Sequence, residues 1–371
     1  MPKPILLSSL FGELTKNVQA RIDAASELNK RIFDQVIYRR FMDWDTPTIG
    51  LDFEEIIGKY NITVAAATIG ERSKEPILGS YGLETVKERV LNHAVTLPMS
   101  MQDYRKILQL LDSKKISDEA RKRQLIELMW GGVTRVVNGI EAKLDIIFLG
   151  ALFNCGVFEF DETNNPEGGV RGTINFNQPT ENIGKAKVKW TEENIDTVDC
   201  MEDIQQMLDA AQDKSILDRI LCSPSRISYM CRTKKMKQMI HGTDKSSRLV
   251  QLKDINDYME SNGYPLFEKL QRQVKIQNGN KLKPFNPING DNIVLIPGGK
   301  LGIVKNAWSD NELNPESDVA YSNYGRIRVS QWHVGETKGA SKGEFTKAES
   351  LSLPVITEME NTYTLKTDYN D

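Results

Sequence analysis

Leu14, Val18, Ile22, Ala25, Leu28, Ile32 and Val36 recur every three or four residues, with Lys16, Arg21, Asp23, Lys30 and Arg31 on the other faces. That period predicts an amphipathic helix over the first 40 residues. It is expected to stop before Asp45-Thr46-Pro47, because the residue before a proline is pushed out of the helical region. Beyond it the period falls to two. Ile62, Val64, Ala66 and Thr68 alternate with Thr63, Ala65, Ala67 and Ile69, and Leu91, His93, Val95 and Leu97 alternate with Val90, Asn92, Ala94 and Thr96. Both stretches read as strands. Between them lies Gly70-Glu71-Arg72-Ser73-Lys74-Glu75-Pro76, charged and turn-forming, so the pair predicts a long two-stranded arm with a charged tip. Two strands alone are marginal in water, and such an arm is expected to lie against something else.

Residues 117–154 carry the strongest periodic signal. Leu125, Leu128, Met129, Val133, Val136, Ile140, Leu144 and Ile147 keep one face apolar, Ser117 stands as an N-cap before Asp118 and Glu119, and Gly156 is the stop. At roughly 1.5 Å per residue this helix would run about 55 Å. Gly131, Gly132 and Gly139 cost up to about 1 kcal/mol each in a helix interior, so either the helix bends there or something packs close to its backbone. From residue 157 to about 310 short strands alternate with helices. Strands are predicted at 157–160, 173–176, 220–222, 274–277 and 292–296, and helices at 199–211, 224–240 and 252–271. Pro224 suits a first helical position. Gly298-Gly299-Lys300-Leu301-Gly302 reads as a hairpin turn, and strand signals return at 326–332 and 351–356.

Composition narrows the class. The 371 residues carry 48 Lys+Arg against 51 Asp+Glu, a net charge of −3, which argues against a strongly basic nucleic-acid binder. With 27% charged residues beside 5 Trp, 11 Tyr and 12 Phe the chain is not wholesale disordered. Only 39% is hydrophobic, which suggests burial completed by partners. The longest greasy stretch, 144–158, is interrupted by Asp145 and Asn154 and falls short of the roughly 20 residues of a membrane span. The apolar run behind Met1-Pro2-Lys3-Pro4 is shorter than a signal sequence needs, and Cys155, Cys200, Cys222 and Cys231 show no Cys-x-x-Cys spacing. Synthesis in the cytoplasm with reduced thiols is the expectation.

Candidate chemistry is scarce. His93, His241 and His333 lie in unrelated segments, and no zinc spacing, phosphate loop or dinucleotide turn occurs. Ser309-Asp310-Asn311 matches one serine-hydrolase tripeptide without its companions. No nucleophile, base and oxyanion donor come together, and neither catalytic residue, cofactor nor metal is expected. Arg232-Thr233-Lys234-Lys235-Met236-Lys237 reads as a solvated helix face or as a phosphate or partner contact.

The order of these elements resembles the major capsid protein of tailed bacteriophages, the Hong Kong 97-type shell fold, from about residue 45 to the end, with the lambda-type (protein E) branch nearest. Several stretches carry it. They are Gly82-Leu83-Glu84 leading into Val95-Thr96-Leu97-Pro98-Met99, Glu141-Ala142-Lys143-Leu144-Asp145, Leu149-Gly150-Ala151-Leu152, Phe158-Glu159-Phe160-Asp161, Gly172-Thr173-Ile174-Asn175-Phe176, and Trp190 ahead of Asp196, Asp199 and Asp203-Ile204. The resemblance implies an α+β subunit with an N-terminal arm (1–47), an extended hairpin arm or E-loop (48–100), a peripheral domain with the spine helix (101–156), an axial domain (157–310) and C-terminal strands returning to the peripheral domain (311–371). It implies a protein without enzyme activity that self-assembles as hexamers and pentamers into an icosahedral head. That head encloses double-stranded DNA without sequence specificity, meets decoration, scaffolding and portal proteins and no membrane, and is built in the bacterial host cytoplasm. Arg72, Lys74, Glu75, Val64 and Val95 are then expected at contacts between subunits, although the charged tip also reads as a plain solvated turn. No Lys, Asn and Glu match the motifs of a covalent crosslink. The alternatives are an encapsulin-like nanocompartment subunit and a motif-free α/β metabolic enzyme.

Overall fold

A computed structural model describes residues 36–57, 84–99, 118–212, 214–242, 248–279, 281–334 and 343–369, together with 102, 105, 106 and 109. Of the expected N-terminal helix, only its last residues fall in this set. A short helix, α1, spans Tyr38–Phe41, ending before Asp45 as expected, and the backbone turns extended at Met42, so Met42–Trp44 is a strand (β1). Strand pairing overrides the helical period here, because β1 lies parallel to Gly302–Val304.

The arm differs from expectation. Strands β2 (Asp52–Ile57) and β3 (Glu84–Arg89) form the two-stranded antiparallel sheet. The expected strand at 62–69 lies outside the described residues. Leu91–Pro98 is a strand (β4), but it pairs along its length with a C-terminal strand, Val95 opposite Ala348. Alternation identifies a strand without naming its partner.

Helix α2 runs from Asp118 to Leu152, 35 residues. From Leu144 to Leu152 its whole circumference is buried, Asp145 included, apart from Gly150. It stops at Cys155 and Gly156, both with positive φ (54° and 79°), and Asn292 Nδ2 donates to Phe153 O at 2.7 Å, satisfying one terminal carbonyl. The glycines are sites of close approach. An added Cβ at Gly139 would meet Val95 Cγ1 of β4 at 3.3 Å, and one at Gly150 would meet the Phe158 ring at 2.6 Å.

The mixed region begins with the hairpin β5 (Val157–Phe160) and β6 (Gly172–Asn175). It continues through β7 (Ile183–Lys185), α3 (Cys200–Ala211), capped by Asp199, and β8 (Leu217–Cys222). The single helix expected at 224–240 is two, α4 (Pro224–Arg232) and α5 (Lys234–His241). Thr233 is fully buried and extended between them, its hydroxyl donating to Met230 O at 2.9 Å. The helix expected at 252–271 ends early. α6 covers Leu252–Ser261, Gly263 has φ +70°, and Leu266–Lys269 is a strand (β9) parallel to β8. There follow the hairpin β10 (Val274–Asn278) and β11 (Lys281–Phe285), then β12 (Asn292–Pro297), β13 (Gly302–Ala307), α7 (Asp310–Leu313), β14 (Ala320–Tyr324), β15 (Ile327–Val334), β16 (Gly343–Ile356) and β17 (Tyr363–Lys366).

Two sheets organise these strands. One has six strands, in the order β1-β13-β16-β15-β14 with β4 also on β16; the other has five, β7-β17-β12-β8-β9. The chain crosses between them three times, first from β4 to β7 by way of α2 and the β5–β6 hairpin, and then twice by short connections. Gly298–Leu301 joins β12 of one sheet to β13 of the other, so it is a crossing and not the expected hairpin turn, and 357–362 returns the chain to β17. Thus 302–307 joins the six-stranded sheet and 363–366 the five-stranded one, whatever their place in the sequence.

The core is divided accordingly. α2, α1 and the six-stranded sheet enclose one apolar cluster, and α3–α6 cover one face of the five-stranded sheet with another. Strand β12 serves both, because side chains alternate across a strand. Val294 and Ile296 enter the first cluster while Ile293 and Leu295 enter the second. That explains an uninterrupted apolar run in a protein otherwise poor in them.

Candidate functional site

Two carboxylates sit one helical turn apart on the apolar side of α2. Asp145 Oδ1 accepts from the backbone of Ile37 (3.0 Å) and Tyr38 (2.8 Å), and its Oδ2 faces Arg272 Nε at 2.8 Å. Glu141 accepts from Tyr38 Oη at 2.7 Å and from Arg39 Nε at 3.1 Å, with a second contact to the same guanidinium. Both carboxylates are fully buried. Burial pushes Asp145 up to about 7, against the pull of Arg272 and the two amides. Tyr38 is also raised, by burial first and by Glu141 second. Removing one partner from a buried ion pair costs several kcal/mol, so this cluster fixes where residues 36–41 leave the body. In the sequence Glu141 and Asp145 stand only as part of the helix stretch that carries the resemblance. The available signal was a pair of acids at i and i+4 inside an apolar stripe, which demands buried partners.

A cleft of about 570 Å³ lies beside it, bounded by Leu91–Val95 of β4, Gly139–Ile146 of α2, the 164–170 loop and Val274–Gln277 of β10. Lys143 lines it. Its Nζ donates to Asn164 O at 3.0 Å and lies 5.2 Å from the Phe160 ring centre, and burial lowers it to about 8. His93 is buried, shares a 3.0 Å hydrogen bond with Ser352 O, and is held neutral, its pKa lowered to about 4 by burial and then by Lys143. Among the described residues no carboxylate is hydrogen-bonded to that ring, whose bond to Ser352 O closes the β4–β16 seam.

Of the residues expected at contacts, Val95 stands on β4 over Gly139, 36% exposed. Val64, Arg72, Lys74 and Glu75 lie outside the described residues. The basic run is divided by the break at Thr233, with Arg232 bound bidentately by Glu192 (2.9 and 2.6 Å) and Lys235 3.3 Å from Asp199. These ion pairs fit the solvated-face reading. Ser309-Asp310-Asn311 starts α7, where Ser309 Oγ and the Glu312 carboxylate cap each other's backbone, a structural use of that tripeptide. All four cysteines are free, with burial raising each thiol, which opposes thiolate chemistry. Among the described residues no group of three or more His, Cys, Asp or Glu side chains is placed to hold a metal. No helix among them is long and apolar enough to cross a membrane.

Trp190 and Asp203, both in the stretches carrying the resemblance, organise the other lobe. Trp190 Nε1 donates to Asp203 Oδ2 at 2.8 Å, Lys187 N donates to Oδ1 at 2.9 Å, and the indole stacks on Tyr229 at 5.9 Å.

No family model matches the chain, and no curated protein matches it in sequence. Solved structures match it in shape. A candidate capsid protein of a prophage from E. coli CFT073 superposes with a TM-score of 0.53 at 14% identity, over 77% of this chain and 80% of its own. The fold is of the phage-capsid type. A phage-related protein from Bordetella bronchiseptica RB50 agrees, with a TM-score of 0.50 at 10% identity over 90% of this chain and 92% of its own. At such identities the likeness speaks to the fold alone, a mixed α/β architecture resembling the Hong Kong 97-type capsid fold.

Proposed function

We propose that this chain is the major capsid protein of a tailed bacteriophage, assembling as hexamers and pentamers into an icosahedral head around double-stranded DNA. The observation that carries the reading is the capsid-type fold along most of the chain, aligned over 77% of it with the prophage capsid candidate. In this reading α2 is the spine, the two-stranded sheet β2–β3 is the root of the E-loop, the six-stranded sheet belongs to the peripheral domain and the five-stranded sheet with α3–α6 to the axial domain. Val95, and with it Val64, Arg72, Lys74 and Glu75, would lie at contacts between subunits. Decoration, scaffolding and portal proteins are the expected partners, of a lambda-type shell in particular, and the protein performs no catalytic step. Exposed apolar residues such as Ile49 (76%) and Leu249 (82%) fit a subunit whose burial is completed by neighbours.

Electron microscopy with light-scattering mass tests this on the purified protein, alone and co-expressed with its neighbouring genes. Closed shells, tubes or six-membered rings are expected. A uniform monomer in every condition would count against the reading. Shells that fill with a co-expressed enzyme and exclude DNA would replace the phage head by a nanocompartment.

A further inference from the structure

Between Glu268 and Asp291 the chain carries five basic residues, Lys269, Arg272, Lys275, Lys281 and Lys283, and no acidic one. Most of this stretch is the β10–β11 hairpin. Its root is anchored, since Val274, Ile276 and Phe285 pack on the first core. Toward the tip it is bare. Lys281 and Lys283 are exposed on one face and no ion pair to them forms among the described residues, while Leu282, 63% exposed, lies on the other face with Lys275 nearer the root. The tip is held by Glu167, whose Oε1 accepts from Gly279 N at 2.8 Å. The hairpin is thus anchored at its root and carries exposed basic side chains toward its end.

The complement lies in the same chain. Between Lys305 and Arg326 there are four acidic residues, Asp310, Glu312, Glu316 and Asp318, and no basic one. Glu312 is used in the α7 cap. Asp310, Glu316 and Asp318 are exposed, and Leu313 beside them is 55% exposed. One copy holds the two surfaces on opposite flanks of β16. Leu351 of β16 pairs with Asn92 of β4 on one side and with Ala307 of β13 on the other. The hairpin borders the cleft on the β4 side, whereas the acidic connection joins β13 to β14 on the far side.

We propose that the β10–β11 hairpin docks on the acidic 308–319 connection of a second copy, with Lys281 and Lys283, which share one face of the hairpin, meeting Glu316 and Asp318. The contact is heterologous, so repetition closes a ring or continues as a lattice. It rests on the shell-subunit reading and supplies that reading with a pair of surfaces.

Charge reversal tests it on the full chain. The variants are Lys281→Glu/Lys283→Glu, Glu316→Lys/Asp318→Lys, and the four changes together, each checked by circular dichroism and thermal melting. These positions are exposed, so wild-type folding is expected. Like charges facing each other should lower the apparent association constant by about tenfold or more in either double variant, and the combined variant should recover it. Wild-type association should weaken from 0.1 to 1 M salt, as the Debye length falls from about 10 to about 3 Å. Wild-type oligomers that neither double variant weakens, or a loss the combined variant does not rescue, would overturn the docking contact and leave the shell reading standing. A hairpin variant that only loses co-purifying DNA would overturn it in favour of nucleic acid. No oligomer of the wild type in any condition would sink both.

Discussion

His93 and Asp145 are both buried titratable groups, and they bias the fold in opposite directions with pH. An imidazole held neutral to about 4, against 6.5 in the unfolded chain, means that between those values the unfolded state binds the extra proton. Stability contributed by His93 is therefore complete above pH 6.5 and drains away as the pH falls toward 4. Asp145, raised to about 7 from 3.8, binds its proton in the folded state first, so its contribution grows as pH falls through the same window. A difference measurement separates the two. Urea unfolding of wild type and His93→Asn at pH 7 and pH 5 should show wild type losing about 2 kcal/mol more than the variant over that interval, at about 1.4 kcal/mol per unit below 6.5. Equal losses would mean His93 is protonated inside the fold. None of this was legible in the sequence, where His93 is one alternating strand residue and Asp145 an interruption of an apolar run.

Helix α2 was legible, because its period is long and its stop signal plain. Its neighbours were not. Half of β16 is polar, and Ser350 and Ser352 are buried by mutual hydrogen bonding at 3.0 Å, so the hydrophobic alternation that reveals strands appears only from Leu351 onward. Past Asn262 the apolar residues Leu266, Phe267 and Leu270 kept a near-helical spacing although the backbone had turned at Gly263. The small-residue notch in α2 was visible, but what fills it required coordinates. Those contacts predict unequal effects of one substitution. Gly→Ala in a helix interior ordinarily gains up to about 1 kcal/mol. Gly139→Ala should come out near neutral, since only Val95 Cγ1 must yield a few tenths of an ångström. Gly150→Ala should lose about 1–3 kcal/mol in chemical denaturation, because the Phe158 ring would have to leave its packed position against Phe160. A stabilised Gly150→Ala variant would show that this contact is loose.

At the scale of the whole molecule the capsid-type architecture came through in the order of elements, while strand partnership did not, since pairing across hundreds of residues leaves no local trace. The sheets are laced together at one point. Leu301 N donates to Phe41 O at 2.7 Å, and Leu301 O accepts from both Thr357 N and Glu358 N at 3.0 Å, so the two short crossings and the end of α1 meet on one residue. Lys300 adds an ion pair to Asp43 at 2.9 Å. A protein wired in this way has no seam along which it can be split into two pieces that fold separately. A nick at Gly298–Lys300 would give fragments that each carry strands belonging to the other's sheet. They should elute together as one particle of native mass under size exclusion and separate only in denaturant. Like two halves of a zip fastener, each fragment would be the template for the other.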